Sequence, residues 1–533
     1  MIYDVIFRNA KILDGARSPW FRGSVAIRAG RIERVGNIPA GSAAREEIDV
    51  QDNFLCPGFI DAHTHSDFVL LRDPAALPKL KQGVTTQVIG QCGFSPAPVE
   101  AENIPLLDSY MGFIKAGVKP VWNWRSFGEW LEVLEQLDLG TNIAGMFGHG
   151  TVKIDVMGFD DRLPERSEME QMKTLVRDSM REGAFGMTSG LAYPPGLYSS
   201  REELLELTAV LAEFDGLYAT HMMNESNDIV RCIQDTIEIL ERNRIRGQIS
   251  HHKVTGEKNR GMIQKTLALI EAARKRGIDI AADQYPYTAT STTLRSILPP
   301  WVSEGGLIKM IERLENEELR TRIKNEIHSS PDPRWENQLE NCGGPENAVI
   351  LYTPETLEFQ GKNLLEISRI TGQDYLDAAF DIIIRNRGCD TAYYFEIAEE
   401  DVHYAMRHPL VMIASDSIPP APGSRCHPRA NGTFPRVIGR YVRDGEVLSL
   451  EEAVWKMSGF PASRIGLRGK GQVSPGMDAD LVVFDLDKIA EGADYRNPDN
   501  EPEGILYVFV NGEKVLDHGS YTRRTPGKVI RRS

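Results

Sequence analysis

Several things are scarce in this chain, and each scarcity removes a class of function. Six cysteines, Cys56, Cys92, Cys232, Cys342, Cys389 and Cys426, are scattered through 533 residues without paired spacing. That pattern gives no disulfide framework and leaves most of these thiols expected as reduced and buried. No apolar run approaches the length a membrane helix needs. No long basic run occurs either, and the net charge is −15. A nucleic-acid partner is therefore not expected, since phosphate binding needs clustered Lys and Arg. The start, MIYDVIFRNAKILDG, has no basic segment followed by an apolar one and alternates like a strand. The expectation is a cytoplasmic protein without a secretory signal. Internal repeats and low-complexity tracts are absent as well.

What remains is an ordinary globular composition, 41% hydrophobic and 26% charged, in a chain long enough for one large domain and a smaller one. Both ends read as short strands joined by turns. The segment at 28–31 suggests one hairpin, and Asn511-Gly512 is a strong signal for another. The expectation is a small β-sandwich domain assembled from residues 1–56 and 468–533.

Between these ends, residues 57–467 alternate strand-like runs with amphipathic helices. Strands are expected at 59–65, 87–93, 142–150, 184–190, 217–222, 247–253, 278–287 and 410–416. An open doubly wound sheet would show the same alternation. A TIM-like (β/α)8 barrel is favoured because the expected strands end in reactive side chains: His63 and His65, Cys92, His149, Ser189, His221, His251, Tyr285 and Asp416. Barrel enzymes gather their chemistry at that end. The fold class is thus α/β, with an insertion at about 294–350 between the last two strands. This charged helical stretch reads either as a lid over the barrel mouth or as a solvated hairpin away from it.

His63 and His65 lie two residues apart, so a strand would point both to one face. Convergent imidazoles at a strand end suit a metal better than a structural role. Cys92, in IGQCGFSPAP, is either a buried inert thiol or a soft zinc ligand facing His221 and His251. His252 alternates away from His251 and is expected to pack or support. Asp416, in ASDS, is either a turn residue or a carboxylate that binds metal and moves a proton.

These residues resemble the amidohydrolase superfamily, and within it the N-acyl-D-amino-acid deacylase (D-aminoacylase) family. The carriers span nearly the whole chain: PGFIDAHTHSD at 57–67, GQCGFSPAP at 90–98, GAFGMTSGLAYPPG at 183–196, ATHMMNE at 219–225, ISHHKVTG at 249–256, DQYPYTATST at 283–292, ASDS at 414–417 and HPRANGTFPRVIGRYVR at 427–443. GQVSPGMDADLVVFD at 471–485 is less discriminating. The resemblance implies a tight zinc held by Cys92, His221 and His251, and a weaker adjoining metal site of His63, His65 and Asp416. It implies Asp416 as general base, with Lys253 and Tyr285 contacting a substrate carboxylate and Ser291 lining the pocket. Zinc would polarise the carbonyl and activate water, so no nucleophilic serine is required.

One position departs from the pattern: Met223 stands where the family usually carries an arginine that binds the substrate carboxylate. Met cannot replace a bidentate permanent charge. Asn224, Arg436 and Arg440 are candidates to compensate. The expected activity is hydrolysis of a small-molecule N-acyl-D-amino acid. A linear or cyclic amide without the carboxylate is the alternative, and a non-catalytic binding barrel the remote one.

Overall fold

The computed structural model describes residues 2–330, 332 and 334–532. Met1 and Ser533 of the expected terminal domain, and Pro331 and Pro333 of the expected insertion, lie outside the described residues.

Eight parallel strands organise the middle of the chain: β1 (Phe59–Asp61), β2 (Val84–Ile89), β3 (Asn142–Gly145, continued by Phe147–Gly148), β4 (Gly186–Gly190), β5 (Leu217–His221), β6 (Arg246–Ile249), β7 (Ile280–Gln284) and β8 (Val411–Ile413). Each pairs with the next in parallel register, for example Gly186 with Leu217 and Ala282 with Val411. Beyond β8, Thr64 and Ser417 form a parallel bridge, and the Asp416 N–H donates to the His63 carbonyl at 2.8 Å. All carboxyl ends therefore face one side. Strand residues are buried on both faces, as in β2, which reads VTTQVI without an exposed position.

Amphipathic helices cover the strands. Ile229–Asn243 buries Ile229, Cys232, Ile233, Thr236, Ile237 and Leu240, a stripe at helical spacing. Each fully buried aliphatic chain there contributes roughly 1.5–3 kcal/mol. The helix stops at Arg244, which takes a left-handed conformation with φ 52°. Ser200 caps Arg201–Ala212 by accepting the Glu203 N–H at 3.1 Å.

Strands from both termini join in one nine-stranded sheet. The sheet curls back on itself. Phe7 and Phe509 lie on strands separated by two others, yet their ring centroids are 5.0 Å apart. Both expected hairpins are present, with Ala29, Gly30, Asn511 and Gly512 at positive φ in the two turns. The strand Val529–Ile530 leaves that sheet and pairs in parallel with β3 instead.

The insertion is larger than 294–350. A three-stranded antiparallel sheet of Ala289–Thr292, Ala348–Tyr352 and Thr391–Phe395 frames it, and its helices run from Leu307–Glu315 to Tyr375–Arg385. Its own core gathers Leu294, Met310, Ile323, Leu364, Phe380 and Tyr394. Helices such as Leu364–Thr371 and Tyr375–Arg385 carry the same periodicity as those around the parallel strands, so the sequence pattern alone does not separate them. Among the described residues no helix is long and apolar enough to cross a membrane. All six cysteines are free, and five are buried.

Candidate metal centre

The strands are shorter than the sequence suggests, and the chemistry sits just past them. β2 ends at Ile89, β6 at Ile249 and β8 at Ile413, whereas Cys92, His251 and Asp416 follow two or three residues later. All three have positive φ: 53°, 36° and 48°. Non-glycine residues held there cost about 1–3 kcal/mol each, which the surroundings must offset. Around Asp416 they do so visibly. The flanking Ser415 and Ser417 hydroxyls accept from buried Lys79 at 2.9 and 2.7 Å, and Asp61 accepts from Lys79 and from the Ser415 N–H.

Two overlapping donor groups result. One comprises His63, His65, Cys92 and Asp416; the other Cys92, His221 and His251. In each, one ligand atom per residue lies within 4.8 Å of the others. The sequence-based division assigned Cys92 to the second group alone, but its Sγ stands 3.2 Å from His63 Nε2 and 3.3 Å from His251 Nε2 and so faces both. Asp416 Oδ1 lies 3.3 Å from both His63 Nε2 and His65 Nε2.

These separations fit a tetrahedral zinc, whose bonds of about 2.0–2.3 Å place neighbouring ligands roughly 3.3–3.8 Å apart. Protonation of the second group fits as well. Burial holds His221 and His251 well below the usual imidazole range, keeping them neutral as ligands must be. Burial also pushes the Cys92 thiol up to about 11, with His63 opposing, so its thiolate calls for a cation. Asp416 stays well below the usual carboxylate range: burial opposes this, but Arg429 and the neighbouring imidazoles override it. The residues present therefore suit the metal.

Supporting residues that sequence reading missed hold the imidazoles. Asp283 lies 3.3 Å from His63 Nδ1 and accepts the His251 N–H at 2.8 Å. Glu225 approaches His251 Nδ1 at 3.2 Å. Carboxylates behind ligand imidazoles fix ring orientation and raise basicity. Asp283 and Glu225 both lie inside the carrier motifs, but nothing local marks their direction.

Lys253, Tyr285 and Ser291 line one cavity of about 470 Å³ with His65, Cys92, His221, His251, Asp416 and Arg429. Lys253 is not a free cation there, because its ammonium pairs with Glu225. The Tyr285 hydroxyl is buried without a hydrogen-bond partner among the described residues. Arg429 also lines this cavity. Its guanidinium is 2% exposed, sits 2.9 Å from Asp416 Oδ2, stacks 4.6 Å over Tyr285 and donates to the Ser291 carbonyl at 3.3 Å, leaving Nε unpartnered. The three named alternatives do not reach the cavity. Asn224 accepts from Ser226 and Asp228, Arg436 pairs with Glu491 at 2.7 Å, and Arg440 pairs with Glu399 at 3.3 Å. Met223 packs against the main core.

His149 and Ser189, counted among the strand-end residues, do not join the centre. His149 opens the helix His149–Met157 and meets Glu203 at 2.8 Å, while Ser189 bonds Tyr218 and Thr220. His252 faces away and meets Thr266 Oγ1 at 3.0 Å. A second cavity of about 860 Å³ adjoins the centre through Phe94, Phe113, Tyr193 and His221, and Leu298, Leu307, Met310 and Trp335 of the insertion wall it. The insertion thus borders the site.

The model of the amidohydrolase family matches residues 46–516, most of the chain. The chain belongs to the amidohydrolase family. The D-aminoacylase of Alcaligenes xylosoxydans xylosoxydans is 33% identical over 531 residues, covering 100% of this chain and 98% of the relative. A solved D-aminoacylase, described with a binuclear metal centre activated by one metal and attenuated by a second, superposes with TM-score 0.84 at 34% identity, covering 99% of this chain and 100% of that one. The N-acyl-D-glutamate deacylase of Bordetella bronchiseptica, solved with zinc and a phosphonate mimic of the tetrahedral intermediate, superposes with TM-score 0.83 at 30% identity over the whole of both chains. These relatives match this protein over nearly its full length, and the two solved ones share its fold.

Proposed function

We propose that this amidohydrolase-family enzyme cleaves N-acyl-D-amino acids to a carboxylate and a D-amino acid, with zinc as its metal. The observation that carries this reading is Arg429, a buried guanidinium beside the metal donors, stacked on Tyr285 and next to Ser291. It supplies the carboxylate anchor that Met223 removes from the usual position, so the carboxylate-free amide loses its motive. Full-length similarity to proteins named D-aminoacylase and N-acyl-D-glutamate deacylase supports the substrate class and the D configuration.

In this reading Cys92, His221 and His251 would hold the tight metal, and His63, His65 and Asp416 a weaker one, with Cys92 available to both groups. The metal, when bound, polarises the scissile carbonyl and acidifies water. Asp416, ionised and held by Arg429, takes one proton from the attacking water and delivers it to the leaving nitrogen as the C–N bond breaks. Arg429, Tyr285 and Ser291 orient the substrate carboxylate, while Lys253 acts mainly through Glu225 on His251. We take residues 57–467 as the hydrolase unit, with its eight parallel strands closed into a (β/α)8 barrel, and 1–56 with 468–533 as the terminal domain.

A panel of N-acetyl-D- and N-acetyl-L-amino acids beside uncharged and cyclic amides tests the assignment. Preferred turnover of the D-amino-acid derivatives is expected. Turnover confined to compounds without a carboxylate would sink it.

A further inference from the structure

The opposite end of the parallel strands carries a feature that the hydrolytic chemistry does not use. A cavity of about 1100 Å³ opens there between Phe185, Asp215 and Arg246, at the starts of β4, β5 and β6, and the segments 459–472 and 530–532. Five cations line it: Arg246, Arg468, Lys470, Arg531 and Arg532. Two of these are neutralised locally, Lys470 by Asp478 and Asp480, and Arg531 by Glu135 at 2.8 Å. Among the described residues, Asp215 is the carboxylate paired with Arg246 and Arg532, at 3.5 and 4.0 Å, and its side chain is 79% exposed.

The remaining contacts leave donors over. Arg246 spends its terminal nitrogens on the Arg464 and Asp215 carbonyls, while its buried Nε faces Asp215 Oδ1 at 3.5 Å without a hydrogen bond among the described residues. Arg468 has no ion pair or side-chain hydrogen bond among the described residues. Burial and the charges of Arg246 and Arg468 pull Arg532 below the usual guanidinium range, with Asp215 opposing. Like charges crowd here in a chain whose net charge is −15. Three guanidinium forks around one open cavity match a compact, multiply charged oxyanion, which a single exposed carboxylate does not replace.

We propose that this cavity is a binding site for a phosphate dianion, either free or as the phosphoryl group of a small ester, remote from the metal centre. The proposal is independent of the assigned amide substrate. Isothermal titration of the metal-loaded full-length enzyme with inorganic phosphate and with glycerol phosphate, against chloride at equal ionic strength, tests it and separates the two sources. Saturable one-to-one binding of at least one of them is expected, with a matching rise in Tm. Arg468→Ala and Arg532→Ala should each weaken it about tenfold or more, as loss of a charge-assisted contact does. Because Arg468 is exposed and has no ion pair or side-chain hydrogen bond among the described residues, its variant should keep the wild-type fold, metal content and amide hydrolysis. Binding that is unchanged in the double variant would place the anion at the metal centre and overturn the proposal. So would a response to phosphate no greater than that to chloride.

Discussion

Two buried clusters in this protein combine histidine with carboxylate, and they behave differently. In one, Glu203 meets His149 at 2.8 Å with one oxygen and Lys153 at 2.7 Å with the other. Every close partner is a donor facing an acceptor, and the group is sealed from solvent. In the other, Cys92, His63, His65, His251 and Asp416 approach one another at 3.2–3.3 Å, with His221 within 4.8 Å of Cys92 and His251, beside a cavity. Cys92 and Asp416 each face two imidazole nitrogens in this way, a donor set that suits a cation among them. The difference teaches that a histidine near a strand end is weak evidence of chemistry. Convergence of several acceptors beside open space is strong evidence.

The comparison breaks most sharply at Cys92. Cys92→Ala should lose bound zinc, measured by metal analysis, and reduce kcat/KM by more than the ~100-fold that even an outer supporting residue can cost. Full metal and activity in that variant would erase the distinction between the clusters. Glu203→Gln should instead leave metal content intact and destabilise the fold by about 3–5 kcal/mol in urea unfolding, because it strands a buried Lys153 charge.

The pH response follows the same division. His149 and Lys153 hold Glu203 down to about 2 against its burial. Its stabilising contribution is therefore present above the unfolded value near 4.5 and is lost as pH falls toward 2. At the substrate anchor, Arg429→Met should cut kcat/KM for a carboxylate substrate by ~10–100-fold, the worth of a charged hydrogen bond, and affect an uncharged amide less. Equal losses for both would detach Arg429 from carboxylate binding.

The smallest effect belongs to Glu336, which accepts the Thr255 hydroxyl and the Glu225 N–H. Burial, with the Glu225 charge adding, pushes its carboxyl up to about 7. The native state thus holds a proton that the unfolded chain releases near 4.5, and this contribution to stability falls as pH rises from about 4.5 to 7. Glu336→Gln should flatten that slope in urea midpoints measured at pH 5 and pH 8. An unchanged slope would show the group titrating normally.

Much of the molecule could be read from residues because the signals are local. Ala29-Gly30 and Asn511-Gly512 demand positive φ and so announce hairpins. The six donor residues sit in short motifs at the ends of apolar runs, where residue type and spacing suffice to nominate them. Alternation of strand and helix announced the parallel architecture. Other features had no local signature. Met223 pointed to a missing anchor, but Arg429, the residue proposed in its place, lies more than two hundred residues away and reaches the site only through the long segment after β8. Asp283 supports the imidazoles from β7 and Glu225 from the loop after β5, so their role depends on strand register and loop path that the sequence does not state.

Residue types and short-range spacing by themselves determined the donor inventory, the turns and the alternating plan, since these depend on a few adjacent dihedrals and on side-chain chemistry. Only the tertiary structure decided that Cys92 faces both donor groups, that Lys253 is committed to Glu225, that His149 is sealed off by Glu203, and that the insertion walls a cavity beside the centre. Those outcomes are distances between residues remote in the chain. They are set by how strands and helices pack together, which no single segment encodes.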